Sequence, residues 1–144
     1  MNEHMNLEIT NYPVASDDEF VASKLREYNL QFVEKDVNPL SAYFRDSEGD
    51  IVAGLTGKTY WNWLHIDYLW VNESERKNQL GSKLIAAAEE EAIKRGCTGS
   101  SLDTFSFQAL RFYQKLGYSV FGELNGYSGK HQRYYLEKQL GQII

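Results

Sequence analysis

Cysteine is nearly missing from this chain: Cys97 is the only one in 144 residues, so no intramolecular disulfide can form and nothing points to an oxidising compartment. Because Cys97 follows Gly96 at an expected helix end, it reads as a buried structural thiol rather than a nucleophile. There are two prolines, Pro13 and Pro39, and no repeat or low-complexity tract. No apolar run reaches the length of a membrane-spanning helix, and Met1 to Asn6 has neither the basic start nor the apolar stretch of a secretory leader; no membrane association and a cytoplasmic location are expected. Positive charge is also in short supply, with 15 Lys and Arg against 20 Asp and Glu, a net charge of -5. The basic residues are scattered, so no face offers the charge density that binding a phosphate backbone requires, and nucleic acid is not an expected partner. No metal site is expected.

What is present suits one folded domain spanning 1–144: 42% hydrophobic, 14% aromatic and 24% charged residues, with no shift in composition along the chain. Leu7 to Ile9 is a strand candidate, and Ser16 with Glu19 has the capping-box spacing of a helix start. Val21, Leu25, Tyr28 and Phe32 then recur at helical spacing, as for a stripe packed on a sheet. Ala42–Arg45 and Ile51–Tyr60 read as a hairpin around Asp46–Asp50, with Leu64–Val71 as a third, central strand. From Leu80 the period changes: Leu80, Leu84, Ala88 and Ala92 step by four up to Gly96. Ser100–Phe105 returns as a strand, so a parallel crossover is expected. Ser106 is a candidate cap for a helix over Ala109 to Leu116, and two strands follow at Tyr118–Leu124 and Arg133–Lys138, joined by a glycine-rich loop at Asn125–Gly129.

The stretch from Val71 to Leu84 leads from a buried strand through a polar loop into the strongest helix. A helix start carries unpaired N–H groups and about half a positive charge, which suits an anion. Arg76 and Lys77 add charge there, and Gly81 lets a ligand approach the backbone. Within it, Arg76 and Gly81 fit the frame of Arg or Gln, two residues, Gly, one residue, Gly or Ala. About 30 residues on comes Ala109-Leu110-Arg111-Phe112-Tyr113-Gln114-Lys115-Leu116-Gly117-Tyr118, preceded by Leu102 to Phe107. With these two motifs in order, Ala42 to Lys138 resembles the GNAT superfamily of N-acetyltransferases. Gln79 departs from the pattern, standing where the family has its first glycine.

The resemblance implies a mixed α/β fold: a largely antiparallel central sheet with helices on both faces and a splayed parallel strand pair that holds the cofactor. It implies acetyl-CoA as co-substrate and an amine, on a small molecule or a peptide, as acceptor. Backbone contacts to the pantetheine arm fall to Leu69, Trp70 and Val71, and the N–H near Trp70 is a candidate oxyanion donor. The pyrophosphate falls to Arg76, Lys77 and the segment Gln79, Leu80, Gly81, Ser82 and Lys83, with Ser106 added to the cofactor set. Tyr113 matches the family tyrosine that hydrogen-bonds the departing sulfur. An alkylammonium must lose a proton before it attacks, and Asp67, Glu73 and His65 remain alternatives for that task, directly or through water. Acceptor walls are expected from the first helix, Phe32–Leu40 and the late loop, with Tyr28, Trp61, Trp63 and Tyr127 as candidate lining or dimer surface. The competing reading is a non-catalytic acyl-CoA-binding or sensing module on the same fold; an unrelated nucleotide-binding domain lacks its glycine pattern here.

Overall fold

The computed structural model describes residues 4–141, which divide into two compact units with the boundary between Lys35 and Asp36. In the N-terminal unit, Leu7 to Ile9 forms no strand: three residues offer too few ladder bonds to be worth ordering. Helix α1 spans Ala15–Asn29. It begins one residue before Ser16, behind an extended Val14 with no side-chain cap, so the capping box does not form. Asp17 and Asp18 complement the positive helix end instead, and Glu19 pairs with Arg26. No α1 residue is buried.

The second unit is built on strands β1 (Val37–Arg45), β2 (Ile51–Tyr60), β3 (Trp63–Val71), β4 (Gly99–Phe105), β5 (Ser119–Tyr127) and β6 (His131–Gln139), with helices α2 (Leu80–Lys94) and α3 (Leu110–Lys115). The six strands form one sheet in the order β1-β2-β3-β4-β6-β5, antiparallel except for β3 against β4. The crossover through α2 makes that one pair parallel, as the strand, helix, strand order requires. The hairpin turn is set by Asp46, whose Oδ1 accepts the N–H groups of Glu48 and Asp50, and by Gly49 at φ +89°. The late loop is shorter than expected, since β5 runs through Tyr127 and leaves only Ser128 to Lys130 as a turn.

The core lies between one sheet face and α2. Leu84, Ile85, Ala88 and Ala92 of α2 meet Leu40, Ala53, Leu55, Leu64, Ile66, Leu102 and Leu136 of the sheet, all nearly excluded from solvent. Small alanines on α2 let the helix lie close while the branched side chains of the strands fill the gap.

One irregularity positions the site. Thr56 pairs with Tyr68 and Gly57 with Ile66, so Asp67 is an extra residue bulged out of β3. Before it Leu64 and Ile66 point into the core; after it Leu69 and Val71 do, so the inward phase moves by one residue. Gly57 makes room, because a Cβ there would overlap the carbonyl oxygen of His65. A bulge bends its strand and raises its twist. Beyond this one, β3 leaves β4: the parallel pairing covers only Trp63–Gly99, Leu64–Ser100 and His65–Ser101.

Candidate active site

Past His65 the edge of β3 that faced β4 has no strand partner, while its other edge stays bonded to β2. The wedge between the diverging strands opens into a cleft of about 950 Å³, closed at its sides by the loop after β3, the start of α2 and the face of α3. Backbone groups on an unpaired edge inside a cleft are ready for an extended ligand that pairs as a further strand.

The loop Glu73–Asn78 is a turn of 3-10 helix that ends in Gln79, which is left-handed at φ 58° and ψ 30°. The family pattern has glycine here because that backbone conformation costs a Cβ-bearing residue about 1–2 kcal/mol. Gln79 adopts it nevertheless and turns the chain into α2. No side chain caps α2, whose first turn closes when Lys83 N–H donates to Gln79 O at 3.2 Å. The N–H groups ahead of that bond are the orphan donors of a 15-residue helix. Gly81 serves packing as well, since a Cβ there would stand 3.2 Å from the Phe112 ring. Arg76 lines the same end of the cleft with no ion-pair partner among the described residues.

Tyr113 of α3 is 7% exposed and lines the cleft from below. Burial, with the negative charge of Asp103 second, pushes its pKa up to about 12, so the phenol is a proton donor throughout the neutral range. Tyr118 behind it is raised further in the same direction, first by burial, against a 2.8 Å bond to Ser100 that lowers it, and with the charge of Glu89 and a 2.8 Å bond to that carboxylate adding to the rise. Lys138 sits 2.9 Å from Glu89 and neutralises that carboxylate.

The sheet face opposite α2 supplies the polar wall. His65 lies 3.0 Å from Ser101 Oγ through Nδ1 and 3.4 Å from Asp67 through Nε2. Lys58 Nζ in turn approaches the two Asp67 oxygens at 3.1 and 3.4 Å. Further along β4, Asp103 Oδ1 accepts Arg133 Nε at 2.9 Å. The Arg133 guanidinium lies over the rings of Phe105, Tyr127 and Tyr135 at 5.1 to 5.9 Å. Its pKa is raised, first by the bond to Asp103.

Of the residues singled out in the sequence, the cleft brings together Asp67, Leu69, Trp70, Val71, Arg76, Gln79, Gly81, Ser82 and Tyr113, with His65 beside them. Glu73, Lys77, Leu80, Lys83 and Ser106 are not on its wall. Ser106 does not cap α3, which starts at Leu110 behind Ala109. Its hydroxyl accepts the Gln132 N–H, and Thr104 Oγ1 takes the Ala109 N–H in its place. Trp61 and Trp63 lie at the β2–β3 turn, at the far end of β3 from the wedge, while Tyr127 packs edge-on against Phe105. Tyr28 packs at a tilt against Phe32 within the N-terminal unit. Cys97 is buried, and desolvation pushes its thiol pKa up, which keeps it inert. Sequence reasoning missed Lys58, Ser101, Asp103, Phe107 and Arg133. Alternation along β4 would have put Ser101, Asp103 and Phe105 on one face, but Arg133 joins them only through the β4–β6 register.

No helix among the described residues is long and apolar enough to cross a membrane. Compared with known proteins, the chain is 35% identical over 136 residues to an acetyltransferase of Agrobacterium fabrum, 94% of this chain and 99% of that protein. It is 40% identical over 101 residues to blasticidin-S acetyltransferase of Streptomyces morookaense, 69% of this chain and 74% of that protein. Among solved structures, an acetyltransferase from Agrobacterium tumefaciens superposes with a TM-score of 0.89 at 35% identity, covering 94% of this chain and all of the other. A streptothricin acetyltransferase from Bacillus anthracis, solved in complex with acetyl coenzyme A, shares the fold at 21% identity and TM-score 0.64, over 77% of this chain and 67% of its own. The signature described as Acetyltransferase (GNAT) family matches residues 1–118, and with the splayed β3–β4 pair and the Arg76 to Gly81 loop in hand, the chain belongs to the GNAT family of acetyltransferases.

Proposed function

We propose that this protein is an N-acetyltransferase of the cytoplasm that moves the acetyl group of acetyl-CoA directly onto the primary amine of a small molecule, its 144 residues working as one catalytic domain. One observation carries the reading: the unpaired edge of β3, the uncapped start of α2 and the Tyr113 phenol open into a single cleft. The residues fit the co-substrate. Orphan N–H groups and an unpaired Arg76 suit a diphosphate, and an unbonded strand edge suits the two amides of a pantetheine arm.

In this reading Leu69, Trp70 and Val71 hold the arm through their backbone, with the N–H near Trp70 polarising the thioester carbonyl. Arg76 and the amides from Gln79 to Lys83 hold the diphosphate, with Lys77 adding charge from outside the cleft. Attack by the neutral amine forms the amide C–N bond and breaks the C–S bond. Asp67 and His65, in contact at 3.4 Å, are the groups positioned to accept the proton that the amine gives up, and Glu73 stands off the wall. Tyr113 donates its O–H to the departing sulfur. With a thiol near ~8.5 and Tyr113 about 12, full transfer is uphill by ~3.5 units, or about 5 kcal/mol, so Tyr113 acts chiefly as a hydrogen-bond donor. A small-molecule acceptor agrees with the name of the relative that acetylates blasticidin S.

The test is thiol release from acetyl-CoA across a panel of polyamines, amino sugars, amino acids and peptides, beside thermal stabilisation by CoA. Turnover with at least one amine, slowed at least tenfold in Tyr113→Phe while CoA stabilisation persists, supports the reading. Stabilisation by CoA with no turnover of any amine would favour the acyl-CoA-binding module instead.

A further inference from the structure

Two carboxylates line the cleft, and they are differently occupied. Both oxygens of Asp67 face Lys58, and His65 shares one of them. Asp103 uses Oδ1 for Arg133, and no hydrogen-bond donor among the described residues reaches Oδ2. A carboxylate has about four acceptor positions, so Asp103 has capacity left, and its side chain is 22% exposed.

Its place in the fold matters more. Asp103 is two residues past Ser101, the last β4 residue paired with β3, so it stands on the open side of the wedge. Tyr113 lines the same cleft and feels the Asp103 charge. Asp103 is also held still. Arg133, fixed by Asp103 itself, by Tyr127 Oη at 3.5 Å and by three ring faces, cannot swing away without losing all of them. Those rings hold the guanidinium in place on the Oδ1 side, while Oδ2 keeps its acceptor positions for a second donor. In the same cleft Phe107, 63% exposed and stacked on Phe105 at 5.4 Å, offers an apolar shelf for the carbon skeleton behind a cationic donor.

The geometry points to Asp103 as the residue that receives the acceptor: its Oδ2 takes the primary ammonium of an alkylamine in a charge-assisted hydrogen bond, and Arg133 is the positioning residue that aims it. The inference rests on the acetyltransferase reading for the purpose of this subsite but not for its chemistry. The acceptor arrives as a cation, gives up its proton to Asp67 or His65 and is held in the same cleft as Tyr113. Anionic acceptors of the same shape are repelled, and neutral ones are held less tightly, because neither gives Oδ2 a charge-assisted bond.

The experiment uses n-butylammonium as probe and 1-butanol as its uncharged control, with the whole chain, both with and without CoA. Crystals soaked with the probe are expected to show the ammonium within hydrogen-bond distance of Asp103 Oδ2, next to Phe107. In solution, NMR titration should give at least a tenfold weaker affinity for Asp103→Asn and Arg133→Met, near-native affinity for Arg133→Lys, and the same weak response to butanol in all four proteins. Retained stabilisation by CoA shows that the variants are folded. Density on Asp67, density nowhere in the cleft, or unchanged probe affinity in Asp103→Asn overturns the assignment. Should the acetyltransferase reading fail, that would appear separately, as no thiol release with any amine, and the probe measurement would still decide the role of Asp103.

Discussion

Replacing Gln79 with glycine should stabilise the protein, although it removes a side chain. Gln79 holds φ 58° and ψ 30° between the 3-10 turn and α2, a conformation that costs an L residue about 1–2 kcal/mol and glycine almost nothing. Against this relief stands the extra freedom glycine gives the unfolded chain, about 0.4–1 kcal/mol. The Gln79 side chain is exposed and caps nothing, so no capping hydrogen bond is lost. The difference leaves Gln79→Gly more stable by about 0.5–1 kcal/mol, roughly 1–4 °C in Tm for a chain of this size. Urea denaturation of wild type, Gln79→Gly and Gln79→Ala would measure it, with the alanine variant expected within about 0.5 kcal/mol of wild type because it keeps the strain. The donors at the start of α2 are backbone groups present in all three proteins, so CoA affinity should change by less than about threefold. A Gln79→Gly protein less stable than wild type would refute the reasoning, because the loop could not then be paying a conformational cost for its side chain.

Gly57→Ala should do the reverse. Its Cβ would collide with backbone, not with a yielding side chain, so the Asp67 bulge must rearrange at a cost of about 3 kcal/mol or more, and denaturation should show it. Arg76→Ala should weaken CoA binding about tenfold, and by titration calorimetry the loss should shrink as salt is raised. For Tyr113 the folded pKa, about 12, lies above the ordinary 10. Its contribution to stability is therefore whole below pH ~10 and is lost as pH rises toward ~12, amounting to about 2–3 kcal/mol. Denaturation of wild type and Tyr113→Phe across pH 8 to ~11.5 should show wild type losing ground only above ~10; a gap that does not change with pH would count against a buried phenol.

Local pattern was enough for the elements whose signals lie within a few residues. Helix α2, from Leu80 to its stop at Gly96, follows from a four-residue step and a glycine at φ +88°. The β2 limits and the order of strand, helix and strand, and hence one parallel pair, were legible in the same way, whereas the Arg76 to Gly81 loop and Tyr113 were singled out through the family resemblance. At the N-terminus the Ser16–Glu19 spacing marked the helix start to within one residue although no capping box forms, while the Leu7 to Ile9 pattern made no strand.

Tertiary structure alone decided where β3 leaves β4, because that depends on a bulge formed by Asp67 against Gly57, residues ten apart whose register belongs to neither strand by itself. It also joined Asp103 to Arg133, 30 residues downstream, through the β4–β6 ladder, and matched Lys58 with Asp67 across the β2–β3 pair. Hydrophobic period and capping are properties of a single segment and can be read along it; strand register is a relation between distant segments, set by packing on both sheet faces at once, and no single segment carries it.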